Sequence, residues 1–310
     1  MRAVRNTDQG IVVAEADDPN GPGVRLTIAA AGICGTDVNF AAGGVQGYTY
    51  GHEFAGTTAD GRCYAVEPTV YCGACDQCRA GHIQRCNAPE HGTLGIFRDG
   101  GMCDAVTVPE NMLVRLPSGL DVRDACLVEP ASVAWHGVRS AALEPGERVA
   151  VVGGGSIGLL AAAAARQRGF DVDVEVRHKH QRIAAERLEA GPAQGVYDVV
   201  IDAAGTEAGL ARCAELARPG GRIVLLGVYQ HTVPIPGIVS LVNELTYIHS
   251  VAYSRHDGIR DMEKAAALLA DNPEIAQTLI THRFPLDDAA EAFRVASDRA
   301  SGAIKVVLHP

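Results

Sequence analysis

Val149-Ala150-Val151-Val152-Gly153-Gly154-Gly155-Ser156-Ile157-Gly158 reads as an apolar strand that runs into a glycine turn and then opens a helix. G-x-G-x-x-G in that setting is the signature of a dinucleotide-binding turn. Gly153 makes the turn, Gly155 lets a pyrophosphate approach the backbone, and Gly158 lets helix and strand pack closely. Ser156 and Ile157 then belong to the helix N-terminus that faces the phosphates. The run 149–165 is uncharged and approaches the length of a membrane span, but four glycines interrupt it. Strand, turn and helix account for it better than a span does.

Working outward, 131–142 reads as a helix, 148–152 as a strand and 156–168 as an Ala-rich helix. Residues 171–176 alternate as a half-exposed strand does, and 181–188 is helical. Buried-type strands follow at 197–203 and 222–227 with a helix at 209–217 between them. Later helices fall at 261–269 and 286–296, and 303–308 is a closing strand. Strands alternating with helices predict a parallel sheet wound on both faces.

The residue ending the second strand of such a sheet sorts NAD from NADP, because an NAD site places an acid there for the ribose 2′-hydroxyl. Here the strand ends in Arg177-His178-Lys179-His180. Arg177 in the acidic slot, with Lys179 near enough to assist, predicts a pocket for a 2′-phosphate and a preference for NADP. A slip of two residues would put Glu175 in the slot and restore NAD.

Upstream, residues 1 to about 130 are rich in Gly, Pro and Cys and carry short β-type runs at 24–29 and 105–108. Asp60-Gly61 predicts a tight hairpin between Thr57-Thr58 and 63–66. Cys72, Cys75, Cys78 and Cys86 form C-x2-C-x2-C-x7-C, a spacing that converges four thiolates on one tetrahedral zinc. Four thiolates leave no open position, so that zinc is structural; an iron–sulfur cluster is the chemical rival. Cys63, Cys103, Cys126 and Cys213 are scattered and read as small buried side chains. A second set is looser: Cys34 in a Gly-flanked turn, His52 beside Glu53, and Glu129 before Pro130. One thiolate, one imidazole and one or two carboxylates leave zinc a position for water or substrate.

The net charge is −10 with no Lys/Arg cluster, which disfavours nucleic acid and anionic membrane as partners. The N-terminus lacks the apolar core of a signal peptide, so a cytoplasmic protein acting on a small molecule is expected.

With these residues in hand, the chain resembles the zinc-containing medium-chain dehydrogenases, most closely the threonine, sorbitol and glucose dehydrogenase branch. GICGTD, GHEFAG, VEPTVYCGACDQC, DGGM, VEPASVAWHGV, VVGGGSIG and ARPGGRIVLLGV appear in family order, and LITHRFPLDDAAEAF and IKVVLHP are similar to its C-terminal end. The resemblance implies an α/β chain with a GroES-like, mostly β catalytic domain over 1–131 and a Rossmann domain over 132–273. A segment at 274–310 would return to the catalytic domain. It implies Cys34, His52 and Glu53 as catalytic zinc ligands, with Glu129 exchanging in, and homodimers or homotetramers through the Rossmann edge. The implied reaction oxidises a secondary alcohol, polyol, sugar or amino alcohol polarised by zinc. Thr36 passes its proton outward, and hydride goes to the nicotinamide. Ile96 and Phe97 are expected at the substrate pocket by position.

Three features depart from the family. Asn39 stands where an outer histidine relay is common, and Asn does not titrate. The chain is short between Gly56 and Cys63. It passes almost directly from the helix near Glu189 to the strand at Tyr197, so the third Rossmann strand is expected to be missing or very short. These departures keep a rival reading open, a dehydrogenase fold that has lost catalysis and serves a binding or regulatory role. A zinc-ribbon module and a zinc-independent reductase are weaker rivals, because each leaves one of the motifs above unexplained.

Overall fold

The computed structural model describes residues 1–310. The chain forms two compact units, Pro130–Tyr253 and Met1–Glu129 with Ser254–Pro310.

In the first of these, six strands form an all-parallel sheet. From one edge they are Gly191–Pro192, Val172–Glu175, Val149–Val152, Tyr197–Asp202, Ala217–Leu225 and Thr246–His249. Numbered along the chain this is 3-2-1-4-5-6, the dinucleotide-binding order. Val149–Val152 is buried along its whole length, as a central strand covered on both faces must be. The helix Ser156–Gln167 buries Leu159, Leu160 and the alanines 161–165, whose small side chains let it lie close on the sheet.

The third strand exists but is two residues long, pairing Asp173 with Gly191 and Val174 with Pro192. No helix separates it from the strand at Tyr197. An edge position tolerates Pro192, which has no N–H to give. The shortened connection is tied down from beneath. Tyr197 Oη donates to Asp173 at 2.8 Å, the Arg148 guanidinium lies 4.6 Å from the Tyr197 ring, and Arg148 also reaches the carbonyls of Gln194 and Val196.

The other unit is built on a seven-stranded, mostly antiparallel sheet. Its order is Ile280–Pro285, Lys305–His309, Val24–Gly32, Glu53–Thr57, Cys63–Val66 and Leu113–Arg115, with Ala105–Val108 also on Val24–Gly32. Glu53–Thr57 and Cys63–Val66 form the hairpin expected at Asp60-Gly61. Thr58 N donates to Arg62 O, and Gly61 adopts φ +80°, which favours glycine. Leu26, Ile28, Phe54, Met102, Phe293, Val306 and Leu308 share one buried core.

The C-terminal strand matters most for the site. Val307 pairs with Gly32 and Leu308 with Ala31, which brings the end of the chain beside Ile33-Cys34. The returning segment belongs to this unit from Ser254 onward, where the sequence reading began it at 274. Two long-range hydrogen bonds anchor its start: Arg255 N donates to Gly81 O at 2.9 Å and Arg260 Nη1 to Leu113 O at 3.0 Å. No helix is long and apolar enough to cross a membrane.

Candidate metal and cofactor sites

Cys34 follows the strand Val24–Gly32 and caps the helix Gly35–Ala42. The Asp37 carboxylate accepts from Cys34 N at 2.9 Å, closing the first turn. Its other oxygen lies 3.5 Å from His52 Nδ1, beyond a normal hydrogen bond, and that buried ring nitrogen has no other partner. His52 is aimed by Gly51 at φ +98°, where an added Cβ would meet Met102 Cγ at 2.5 Å. Glu53 opens the next strand opposite Gly32, and an added Cβ at Gly32 would meet Glu53 Oε2 at 2.3 Å. The ligand atoms of Cys34, His52 and Glu53 all lie within 4.8 Å of one another.

Glu53 is also claimed from behind. Lys305 Nζ donates to both of its oxygens, at 2.8 and 2.6 Å, and to Ile33 O at 3.2 Å. Lys305 is 2% exposed. Burial works against its charge, but the Glu53 carboxylate outweighs burial and holds its pKa up at about 12. Glu129, in the first turn of the helix Val128–Ser140, is buried but stands outside the group of ligand atoms. Burial pushes its pKa up to about 7, with His52 opposing and Glu53 adding to the rise. Thr36 is half-buried two residues past Cys34, and Asn39 is exposed.

A thiol, an imidazole and a carboxylate whose ligand atoms converge form a donor set suited to zinc, with one position left open. Sequence reasoning missed two residues here. Asp37 is a first-turn acid three residues after the cap, a recognisable capping pattern. Lys305 is a charge inside the otherwise apolar run Ile304–Leu308, and a buried lysine requires an acidic partner.

The four-cysteine loop closes on itself. Cys72 Sγ lies 4.0 Å from Cys78 Sγ and 3.7 Å from Cys86 Sγ. Tetrahedral zinc with bonds of about 2.3 Å requires sulfurs about 3.8 Å apart. Backbone N–H groups point at the sulfurs: Ala74 and Cys75 at Cys72 (3.4 and 3.3 Å), Cys78 at Cys75 (3.4 Å) and Cys72 at Cys86 (3.4 Å). The N–H groups of Asn87 and Cys78 draw the Cys75 thiol down to about 6, toward the thiolate a metal needs. Every donor is a sulfur and none is left over, so the set fits a closed structural site.

In the glycine turn each glycine meets a different demand. Gly153 has φ +114° and an added Cβ would lie 2.9 Å from Ala203 C and Ala204 N. An added Cβ at Gly158 would lie 1.9 Å from Gly153 O, so only glycine lets the helix approach the strand. Gly155 faces open space and caps the helix that begins at Ser156 and Ile157. These are the turn, packing and phosphate-approach positions of a dinucleotide site. Arg177 and Lys179 are exposed just past the strand Val172–Glu175. Glu175 instead accepts from Arg212 Nε at 2.7 Å. Ile96 is half-buried, and Phe97 is 68% exposed at φ +60°.

Residues 21–118 match the alcohol dehydrogenase GroES-like domain and residues 122–309 the glucose dehydrogenase C-terminus. L-galactonate-5-dehydrogenase of Escherichia coli (strain K12) is 30% identical over 300 residues, which cover 86% of each chain. Among solved structures, galactitol-1-phosphate dehydrogenase of Escherichia coli is 26% identical with a TM-score of 0.89 over 100% of both chains. A protein described as a zinc-binding dehydrogenase of Sinorhizobium meliloti 1021, bound to NADP, is 30% identical with a TM-score of 0.85. That match covers 100% of this chain and 99% of the other.

Proposed function

We propose a role for each of these residues from one premise: the chain belongs to the zinc-type alcohol and polyol dehydrogenases, which are NAD(P)-linked oxidoreductases. Cys34, His52 and Glu53 hold a catalytic zinc, and Glu129 is positioned to exchange in. Cys72, Cys75, Cys78 and Cys86 hold a structural zinc. The observation that carries this reading is the convergence of the ligand atoms of Cys34, His52 and Glu53 within 4.8 Å of one another. The catalytic domain is then Met1–Glu129 with Ser254–Pro310, and the nucleotide-binding domain is Pro130–Tyr253.

When bound, zinc supplies the Lewis acidity that makes an alcohol proton acidic near neutral pH, and the nicotinamide accepts the hydride. The chain's own residues do the rest. Thr36 takes the proton from the alcohol oxygen and hands it outward. Asn39 is not a proton acceptor, so the path leaves through Thr36 to water or to the cofactor ribose. Gly153, Gly155, Ser156, Ile157 and Gly158 seat the pyrophosphate. The substrate is a polyol or sugar acid, a reading supported by the sugar-acid and polyol names of the relatives. A turnover screen of polyols, sugar acids and amino alcohols with both cofactors tests it. Absence of hydride transfer from every secondary alcohol would overturn it in favour of a fold that has lost catalysis.

The preferred cofactor is NADP. Arg177 and Lys179 supply local positive charge for a 2′-phosphate, while Arg212 already holds the Glu175 carboxylate that a ribose hydroxyl would need. Arg177→Asp is expected to lower kcat/KM for NADP by about 10- to 100-fold, with a much smaller loss for NAD. High salt should erode the NADP preference of the parent protein. Equal or better use of NAD by that parent would overturn the Arg177 assignment.

Purified protein should carry two zinc atoms per chain, and Cys78→Ser should leave one. Reduced folding yield should accompany the loss, because metal binding and folding are coupled. Both zincs retained in a well-folded Cys78→Ser protein would reassign the loop. A reducing, cytoplasmic compartment is supported by the spacing of Cys72, Cys75, Cys78 and Cys86, which favours metal over disulfides. A homodimer or homotetramer is supported by the exposed Ile238, Leu241 and Val242 on the helix Gly237–Val242, beside the sheet's edge strand Thr246–His249.

A further inference from the structure

The second strand of the parallel sheet, Val172–Glu175, leads into the basic run Arg177-His178-Lys179-His180, of which the cofactor assignment uses only Arg177 and Lys179. The two histidines are left over. Their rings stack, with centroids 5.4 Å apart and planes 14° apart. His178 is exposed and precedes the helix Lys179–Arg187 without a side-chain hydrogen bond to it, and His180 is half-buried. The residues flanking the run close on the glycine turn. An added Cβ at Gly154 would lie 2.4 Å from Val176 Cγ1 and 2.8 Å from Gln181 Cβ. The two imidazoles are therefore held beside the turn proposed to seat the pyrophosphate.

Two rings stacked this closely resist protonation. Burial and the His178 ring hold the His180 pKa below the ordinary imidazole value, and no carboxylate offsets them. On the same helix the charges near the start are the cations Lys179 and Arg182, while Glu186 and Arg187 stand at its far end. On the adjoining strand Glu175 is committed to Arg212 at 2.7 Å, and the glycine turn carries no charged side chain. The pair thus has cations for neighbours and lacks an anion. A phosphate monoester carries up to two negative charges near neutral pH, and its arrival favours the protonated rings.

We infer that His178 and His180 are specificity-determining residues for the 2′-phosphate of NADP, which they bind together with a proton taken up from solvent. This rests on the NADP reading above and adds a pH dependence to it. Guanidinium and ammonium groups do not titrate near neutrality, so the imidazole pair makes the attraction vary. The affinity it adds is present at low pH and is lost as pH rises through the point where the complexed pair gives up its proton. The second ionisation of the phosphate itself, near about 6, acts in the opposite sense and strengthens binding as pH rises. A preference for NADP that falls with pH therefore identifies the imidazoles.

The test measures Kd for NADPH and NADH on the zinc-loaded protein by fluorescence titration, with NADH reporting every pH effect other than that of the 2′-phosphate. The ratio of Kd for NADH to Kd for NADPH is expected to fall about 5- to 10-fold between about pH 6.5 and 8.5, the scale of one titrating group. Calorimetry at about pH 7 in buffers of different ionisation enthalpy should show about half a proton more taken up per NADPH than per NADH. The double variant His178→Asn with His180→Gln should lose both the slope and the extra proton. Asn suits a helix N-cap and Gln a helix interior, so the fold is kept. A slope that persists in the double variant, or a parent ratio that stays level or rises with pH, would overturn the inference and leave the NADP preference standing. A ratio at or below one at every pH would overturn the NADP reading itself.

Discussion

Replacing His52 with alanine is expected to cost turnover several orders of magnitude while leaving nucleotide binding mostly intact. His52 is the only imidazole among the converging ligands, and its loss leaves Cys34 and Glu53. Glu53 is already paired through both oxygens with Lys305, so the remaining set is poorly placed to retain zinc. The residues proposed to seat the nucleotide, Gly153 to Gly158, belong to the other compact unit. The variant should therefore bind NADPH, read by fluorescence titration, and lose one zinc per chain by metal analysis. It should show almost no hydride transfer. Near-native turnover in a His52→Ala protein would place the chemistry elsewhere.

How far the sequence could be read follows from which interactions are local. The nucleotide turn is local: one run of ten residues contains the strand, the three glycines and the helix start. The four-cysteine loop is local too, with its donors spaced so that a short turn brings them together. The catalytic set is dispersed, and Cys34 and His52 were legible only because each sits in its own short glycine-flanked motif. Lys305 was not read, since its meaning depends on a strand pairing between residues far apart in the chain, Val307 with Gly32. The third strand is expected to be missing or very short, and two residues of pairing remain, beside the hydrogen bond from Tyr197 to Asp173. The family resemblance carries the Rossmann domain on to 273, whereas residues 254–273 lie in the unit built on the antiparallel sheet, where Arg255 N bonds to Gly81 O.

Lys305→Met should destabilise the folded protein by about 3–5 kcal/mol, the scale for removing one partner of a buried ion pair. The methionine fills similar space, so the cost is electrostatic: the Glu53 carboxylate, 1% exposed, loses the ammonium bonded to both of its oxygens. Packing cannot compensate, because Gly32 lies directly over that carboxylate and the strand pairing holds both backbones in place. Replacing both residues, Glu53→Gln with Lys305→Met, removes the uncompensated charge and should recover most of the loss. Urea denaturation of parent, both single variants and the double variant, at matched zinc content, closes the cycle. The pair's own contribution is its coupling energy, and each single variant overstates it. If Lys305→Met unfolds at the same urea concentration as the parent, the Lys305–Glu53 pair does not stabilise the fold. The resting carboxylate would then be held by the metal, and turnover rather than stability would be the property that Lys305 controls.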